Sequence, residues 1–171
     1  INDVYEDLKR NALKDKEWSV FNYAIGNADE KSVINIAQNS FSSSLLRMLP
    51  NHLKSAPESQ YVSKQEIIVK AIDSIYQSLC TSDDNVMLKV DTQGYEKNVI
   101  DGAQQSLKHI KLIQLEMSLQ PLYENELLMC EMIKYLDERN FELFSIENGY
   151  SDYKTRRLMQ VDGIFVKKGL V

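Results

Sequence analysis

The sequence predicts an α/β protein that forms a single domain. Segments typical of strands alternate with segments typical of helices through the second half of the chain. Alternation of this kind indicates βαβ units and hence a mostly parallel sheet. A chain of 171 residues, of which 43% are hydrophobic, has the size and composition of one ordinary domain with one core. Residues 1–171 are therefore interpreted as one unit.

The first half of the chain is predicted to hold one helix, three strands and a long loop. A helix begins near Asn2, because apolar residues recur there at helical spacing. The strands are residues 18–26, 32–37 and 65–73, which are rich in β-branched and aromatic side chains. Residues 39–59 are rich in serine and hold two of the three prolines, a composition typical of a loop or flap.

The second half is predicted to be more regular, with four strands and two helices. The strands are residues 85–90, 111–117, 141–146 and 160–168. The helices are residues 95–110, in which apolar side chains form one stripe, and residues 126–139, which are strongly apolar. No helix separates the last two strands, so we expect them to form an antiparallel hairpin at one edge of the sheet.

Composition and charge exclude several classes of function. The formal charge is −5 and the isoelectric point is about 5.1, whereas nucleic-acid binding depends on clustered Lys and Arg. No apolar run approaches the roughly 18 residues that cross a bilayer. Cys80 and Cys130 are far apart and lack a metal-binding spacing, which is typical of reduced thiols. The prediction is a soluble, cytoplasmic protein that binds neither nucleic acid nor membrane.

Polar side chains follow the first strand of the second half at the point where it ends. Asp91, Thr92 and Gln93 come directly after it, and Gly94 permits a tight turn into the next helix. Glu116 occupies the corresponding end of the next strand. Ligands bind open α/β sheets outside the carboxyl ends of the strands. Asp91 and Glu116 are therefore candidates for chemistry, and we expect them to be neighbours if their strands pair.

A structural role is an alternative for each of these acids. Asp91 could simply cap the following helix, and Glu116 could simply pair with Lys89. Glu96 lies in the first turn of that helix, where the helix dipole favours a carboxylate whether or not it takes part in chemistry. The residues alone leave these alternatives open.

A serine-rich loop and several tyrosines are further candidates for contact with a ligand. Ser42, Ser43 and Ser44 offer hydroxyl groups, although the same composition is typical of a flexible polar loop. The tyrosines that we interpret as surface or rim aromatics are Tyr123, Tyr150 and Tyr153.

Six blocks of sequence follow one another in an order found in one protein family. They are NYAIG, SFSSSLL, QEIIVKAIDSI, VMLKVDTQGYEKNVIDGA, LIQLEMS and QVDGIFV. The chain thereby resembles the FkbM family of S-adenosylmethionine-dependent methyltransferases, from about residue 1 to residue 166. The most specific block is KVDTQGYEKNVIDGA, which is similar to the family's signature of Lys, a hydrophobic residue, Asp, an acidic or amide residue, Gly and a Glu two places on.

The resemblance implies a Rossmann-like class I methyltransferase sheet with S-adenosylmethionine as the cofactor. The implied reaction is O-methylation of a hydroxyl on a sugar or secondary metabolite, so the partner is a small-molecule or glycan acceptor, and a homodimer is compatible. The implied catalytic residues are Asp91, Glu116 and Glu96. The implied cofactor-binding residues are Ala24, Ile25, Asp91, Thr92 and Gln93. The implied substrate-binding residues are Ser42, Ser43, Ser44 and Tyr95.

The chain departs from the family pattern at the glycine-rich turn of the cofactor site. All six glycines lie at or beyond Gly26, and no GxG occurs. The expectation is that the N-terminal βαβ portion that binds the cofactor is missing, in which case residues 1–171 need not bind it.

Other functions are compatible with the same residues. One is a non-catalytic interaction module derived from a methyltransferase sheet. A second, less supported, is a hydrolase that uses Asp91 and Glu116 as a carboxylate pair. Methyl transfer requires no metal, so none is predicted, although the same two acids could bind Mg²⁺ through oxygen.

Overall fold

A computed structural model describes residues 1–170 as a mixed α/β fold. The helices are α1 (Asn2–Ala12), α2 (Pro50–Ser55), α3 (Ile72–Leu79), α4 (Glu96–Asp101) and α5 (Met129–Asp137). The strands are β1 (Ala24–Gly26), β2 (Glu30–Ala37), β3 (Tyr61–Ala71), β4 (Val86–Val90), β5 (Ile110–Ser118), β6 (Phe141–Asn148) and β7 (Gln160–Lys167). Two short 3₁₀ helices are Pro57–Ser59 and Ser106–Lys108. None of these helices is long and apolar enough to cross a membrane.

The strands form two sheets, and most of their pairings are antiparallel. In the first sheet the order is β1-β3-β2, with β1 parallel and β2 antiparallel to β3. In the second the order is β4-β5-β7-β6, and only β4 and β5 are parallel. The expectation of a mostly parallel sheet is therefore wrong, because β7 lies between β5 and β6 and pairs antiparallel with both. The antiparallel hairpin of β6 and β7 is confirmed.

Several elements differ in extent from their sequence patterns. The predicted strand 18–26 is reduced to β1, because only its last three residues pair with β3. The predicted strand 65–73 is confirmed as part of β3, which begins earlier and ends at Ala71, where α3 follows. Helix α2 lies within the predicted loop 39–59. The predicted helix 95–110 is represented by α4 and a separate 3₁₀ turn.

The end of α4 packs directly on the end of β1 and thereby joins the two sheets. A Cβ atom at Gly102 would lie 2.0 Å from the backbone oxygen of Gly26. No side chain fits at that distance, so the close approach requires glycine at position 102. The contact places β1 beside the helix that follows the polar end of β4.

The main core lies between the second sheet and helices α3, α4 and α5. Alternate residues of β5, Ile113, Leu115 and Met117, are at most 1% exposed and face this core. Successive side chains of a strand point to opposite faces, so Gln114 and Glu116 lie on the other face and are partly exposed. Burial on one side of β5 therefore directs Glu116 to the polar side.

Candidate active site at the carboxyl ends of β4 and β5

Asp91 and Glu116 meet at one side-chain amide. Gln93 Nε2 donates a hydrogen bond to Asp91 Oδ1 over 2.9 Å and another to Glu116 Oε2 over 3.1 Å. The parallel register of β4 and β5 places Val90 opposite Leu115. The residues that follow each of these positions therefore emerge at the same edge, and the expectation that the two acids are neighbours is confirmed.

A tight turn after β4 brings Gln93 into this position. Gln93 has a φ of 56° and Gly94 a φ of 92°, both in the left-handed region. A Cβ atom at Gly94 would lie 2.7 Å from Cβ of Tyr123, so this position combines a backbone angle and a contact that favour glycine. The turn directs the amide of Gln93 back toward both carboxylates.

Glu96 holds this turn from inside the protein. Its Oε1 accepts hydrogen bonds from the Thr92 backbone N–H (2.9 Å), the Thr92 hydroxyl (3.2 Å) and the Gly94 backbone N–H (3.2 Å). The residue is only 5% exposed, and burial raises its pKa to about 7 although these hydrogen bonds act to lower it. We assign Glu96 and Thr92 to the positioning of the turn, since both side chains are bonded within it.

Tyr123 is buried beneath the turn and orients Gln93. It is 1% exposed, and its hydroxyl group donates to Gln93 Oε1 over 2.9 Å. The interpretation of Tyr123 as a surface or rim aromatic is wrong, because the segment before α2 packs on it and Leu49 N–H bonds the oxygen of Leu122 over 2.8 Å. Tyr153, by contrast, is 62% exposed as expected.

The hydroxyl groups of the serine-rich loop are bonded within the protein. Ser44 is 1% exposed and donates to the backbone oxygen of Gln93 over 2.8 Å. The hydroxyl groups of Ser42 and Ser59 are 2.8 Å apart, and that of Ser43 accepts from a backbone N–H of β2. Of the three serines expected to bind substrate, Ser44 reaches the site and supports its turn.

Gln160 and Glu126 also belong to the site, and neither is among the residues that the sequence predicts there. Gln160 Nε2 donates to Glu116 Oε2 over 2.7 Å. The Ser118 hydroxyl donates to Glu126 over 2.7 Å, and Glu126 also accepts from the Tyr123 backbone N–H over 2.8 Å. The signal for Gln160 is its place as first residue of an antiparallel strand, which puts it at the edge where β5 ends.

Negative charge is concentrated at this edge. Burial raises the pKa of Glu116 to about 8, and the charges of Asp91, Glu96 and Asp162 add to the effect. Asp91 is more open, since its side chain is 50% exposed, and its carboxylate lies 3.7 Å from Nζ of Lys89. Within residues 1–170, no group of three or more His, Cys, Asp or Glu side chains has an arrangement that could hold a metal ion. The edge can attract a cation and accept a proton.

β1 ends beside the turn and contacts it through Tyr95. A Cβ atom at Gly26 would lie 3.1 Å from the Tyr95 ring. Ile25 packs against the main core, whereas Ala24 lines a groove between α1 and the first sheet. Of the residues expected to border an adenine ring, Ala24 therefore faces open space and the side chain of Ile25 is used in packing.

Comparison with known proteins identifies the family. The model of the methyltransferase FkbM domain matches residues 2–143, which include Asp91, Gln93 and Glu116 and end within β6. Neither the search of curated proteins nor that of solved structures returned a match. Since the family model covers most of the chain, the protein belongs to the FkbM methyltransferase family.

Proposed function

We propose that the protein is an S-adenosylmethionine-dependent methyltransferase that methylates a hydroxyl on a sugar or secondary metabolite. The observation that carries the proposal is the pairing of Asp91 and Glu116 at one strand edge through the amide of Gln93. The match to the methyltransferase FkbM domain supports the reaction class. The family resemblance supports a hydroxyl group as the methyl acceptor. A carboxyl group that can accept a proton, next to one that can bind a cation, supports the same acceptor.

The acidic edge fits a cationic methyl donor. S-adenosylmethionine carries a positive sulfonium and a positive ammonium group, and opposite charges attract most strongly where the site is partly shielded from water. Asp91, half exposed at the end of β4, would hold the ammonium group, and Ala24 would border the adenine. Bound there, the cofactor would supply an activated methyl group.

Glu116 would accept the proton of the acceptor hydroxyl. Its carboxyl group is half buried beside Asp91, and its pKa of about 8 lies near neutral pH, where the ionised fraction of the group can accept a proton. General bases are most effective when their pKa lies near the pH at which they work. Asp91, the more exposed acid, would therefore bind the methyl donor, and Glu116, the more buried acid, would accept the proton.

Calorimetric titration with S-adenosylmethionine tests this proposal. The experiment uses the protein as its gene encodes it, the variant Asp91→Asn, and the remote surface variant Asp83→Asn as a matched control. We expect saturable binding by the wild type and by Asp83→Asn. Binding by Asp91→Asn should be at least ten-fold weaker, because this substitution removes the negative charge that pairs with the ammonium group. Absence of binding by the wild type would overturn the proposal.

A further inference from the structure

The carboxyl group of Glu116 is anchored at one oxygen by two side-chain amides. Gln93 Nε2 and Gln160 Nε2 lie 3.1 and 2.7 Å from Oε2. Neither amide bonds Oε1, and no other group within residues 1–170 donates a hydrogen bond to that atom. One oxygen thus accepts both hydrogen bonds, while Oε1 accepts none from the described residues.

Both amides are themselves held in place. Tyr123 donates to Oε1 of Gln93 over 2.9 Å, which leaves Nε2 to face the carboxylates. Gln160 is 4% exposed, and its Nε2 also lies 3.5 Å from the hydroxyl oxygen of Ser118. Side chains restrained in this way keep a functional group within the narrow range of positions that catalysis needs.

We propose that Gln93 and Gln160 form an amide clamp that aims Oε1 of Glu116 at the acceptor hydroxyl, with Gln160 as a positioning residue for methyl transfer. This inference rests on the proposed function. In the reaction, the acceptor oxygen bonds the methyl carbon, and the carbon–sulfur bond of the donor breaks with its electron pair left on sulfur. The hydroxyl proton passes to Oε1 of Glu116, so atoms and charges balance.

The two amides of the clamp also counteract the effect of the surrounding charges on the ionisation of Glu116. The titratable groups that face it from the neighbouring elements are Asp91 after β4, Glu96 in α4, Tyr123 after β5 and Asp162 in β7. The three acids disfavour a negative charge on Glu116, whereas amide donors favour it. Loss of one donor should therefore shift the titration of Glu116 upward.

Carboxyl-carbon NMR on protein labelled with ¹³C-glutamate measures the titration of Glu116 directly. The Glu116 resonance is assigned by its loss in Glu116→Gln, and its midpoint is followed in the wild type and in Gln160→Met, which keeps length and excludes water. Gln114→Met is the matched control, because Gln114 lies on the same face of β5 and makes no side-chain hydrogen bond to Glu116 in residues 1–170. Amide spectra establish that each variant is folded.

We expect the midpoint to rise by at least half a pH unit in Gln160→Met and to stay within a few tenths of a unit in Gln114→Met. If Gln160→Met does not fold, Gln93→Met tests the other amide with the same expected direction. An unchanged or lowered midpoint in the folded variant would overturn the clamp. Absence of S-adenosylmethionine binding by the wild type would instead overturn the proposed function, and with it the catalytic role of the clamp.

Discussion

Tyr123 holds the side-chain amide of Gln93 in one orientation. The phenol, 1% exposed, donates to the amide oxygen over 2.9 Å, so the amide nitrogen faces Asp91 and Glu116. The reverse orientation would bring the amide oxygen against two carboxylates. Burial and the acids nearby raise the pKa of Tyr123, which keeps its hydroxyl group protonated and able to donate.

The variant Tyr123→Phe should destabilise the fold. It leaves Oε1 of Gln93 without its buried donor, and an unsatisfied buried polar group costs about 1–3 kcal/mol. Urea denaturation should show a fall of that size in the free energy of unfolding. Tyr153→Phe, at a position that is 62% exposed, is the control and should change it by less than about 0.5 kcal/mol. Equal stability of both variants would contradict the assigned role of the Tyr123 hydroxyl.

The variant Gly94→Ala should destabilise the protein much more than Gly169→Ala. Both glycines have positive φ, 92° and 80°, and this conformation costs about 1–3 kcal/mol for another residue. At Gly94 the new Cβ would also lie 2.7 Å from Cβ of Tyr123, whereas at Gly169 nothing lies within 4 Å. Thermal or urea unfolding should therefore show a clearly larger loss for Gly94→Ala. Similar losses for both would mean that the contact with Tyr123 is relieved cheaply.

The stability of the protein should fall as the pH rises from about 4.5 to 7. Burial raises the pKa of Glu96 from 4.5 to about 7 in the folded state, so over this window the folded state binds more protons than the unfolded state. The free energy of unfolding then decreases with increasing pH, by up to about 3 kcal/mol for this group. Burial lowers the pKa of His52 from 6.5 to about 4, which opposes this trend below pH 6.5. Glu116, whose pKa is raised to about 8, acts in the same direction as Glu96, so the net change is still a fall.

Glu96→Gln should flatten this pH dependence. All three hydrogen bonds to Glu96 are accepted by Oε1, and an amide oxygen can take them without carrying a charge. Glu124→Gln, at an exposed carboxylate, is the control. Urea midpoints at several pH values should show a smaller slope in Glu96→Gln alone. Parallel curves for wild type and Glu96→Gln would contradict the assignment.

Asp91→Asn should lower methyl transfer at least ten-fold while the fold stays intact. A ten-fold loss corresponds to about 1.4 kcal/mol, a modest value for removing a charged partner from a cationic donor. The rate is measured by transfer of a labelled methyl group, and circular dichroism checks the fold. Unchanged turnover would remove Asp91 from the mechanism.

The acidic pair could be predicted from the sequence because it depends on local patterns. Asp91 and Glu116 each follow or end an apolar strand, and parallel pairing of neighbouring strands brings such ends to one edge. For the turn that follows Asp91, the only indication in the sequence is Gly94. The alternation of β5 likewise predicts which of its residues face the core.

The start of a strand at Gln160 is visible in the sequence, but its hydrogen bond to Glu116 could not be predicted, because it depends on long-range register. Gln160 is 44 residues from Glu116 in sequence, and they meet only because Ser118 pairs with Gln160 across β5 and β7. The burial of Tyr123 depends in the same way on the segment before α2, which local composition indicates only as a polar loop. Pairing also explains why β1 is shorter than the predicted strand 18–26, since only the last three of those residues pair with β3.

The affinity of Glu116→Gln and Asp91→Asn for S-adenosylmethionine at pH 7 tests the division of roles most directly. With its pKa of about 8, Glu116 is largely neutral at that pH, and a neutral amide should bind the donor within about two-fold of the wild type yet transfer no methyl group. Asp91→Asn should bind at least ten-fold more weakly. Equal affinities for the two variants, or methyl transfer by Glu116→Gln at the wild-type rate, would contradict the account.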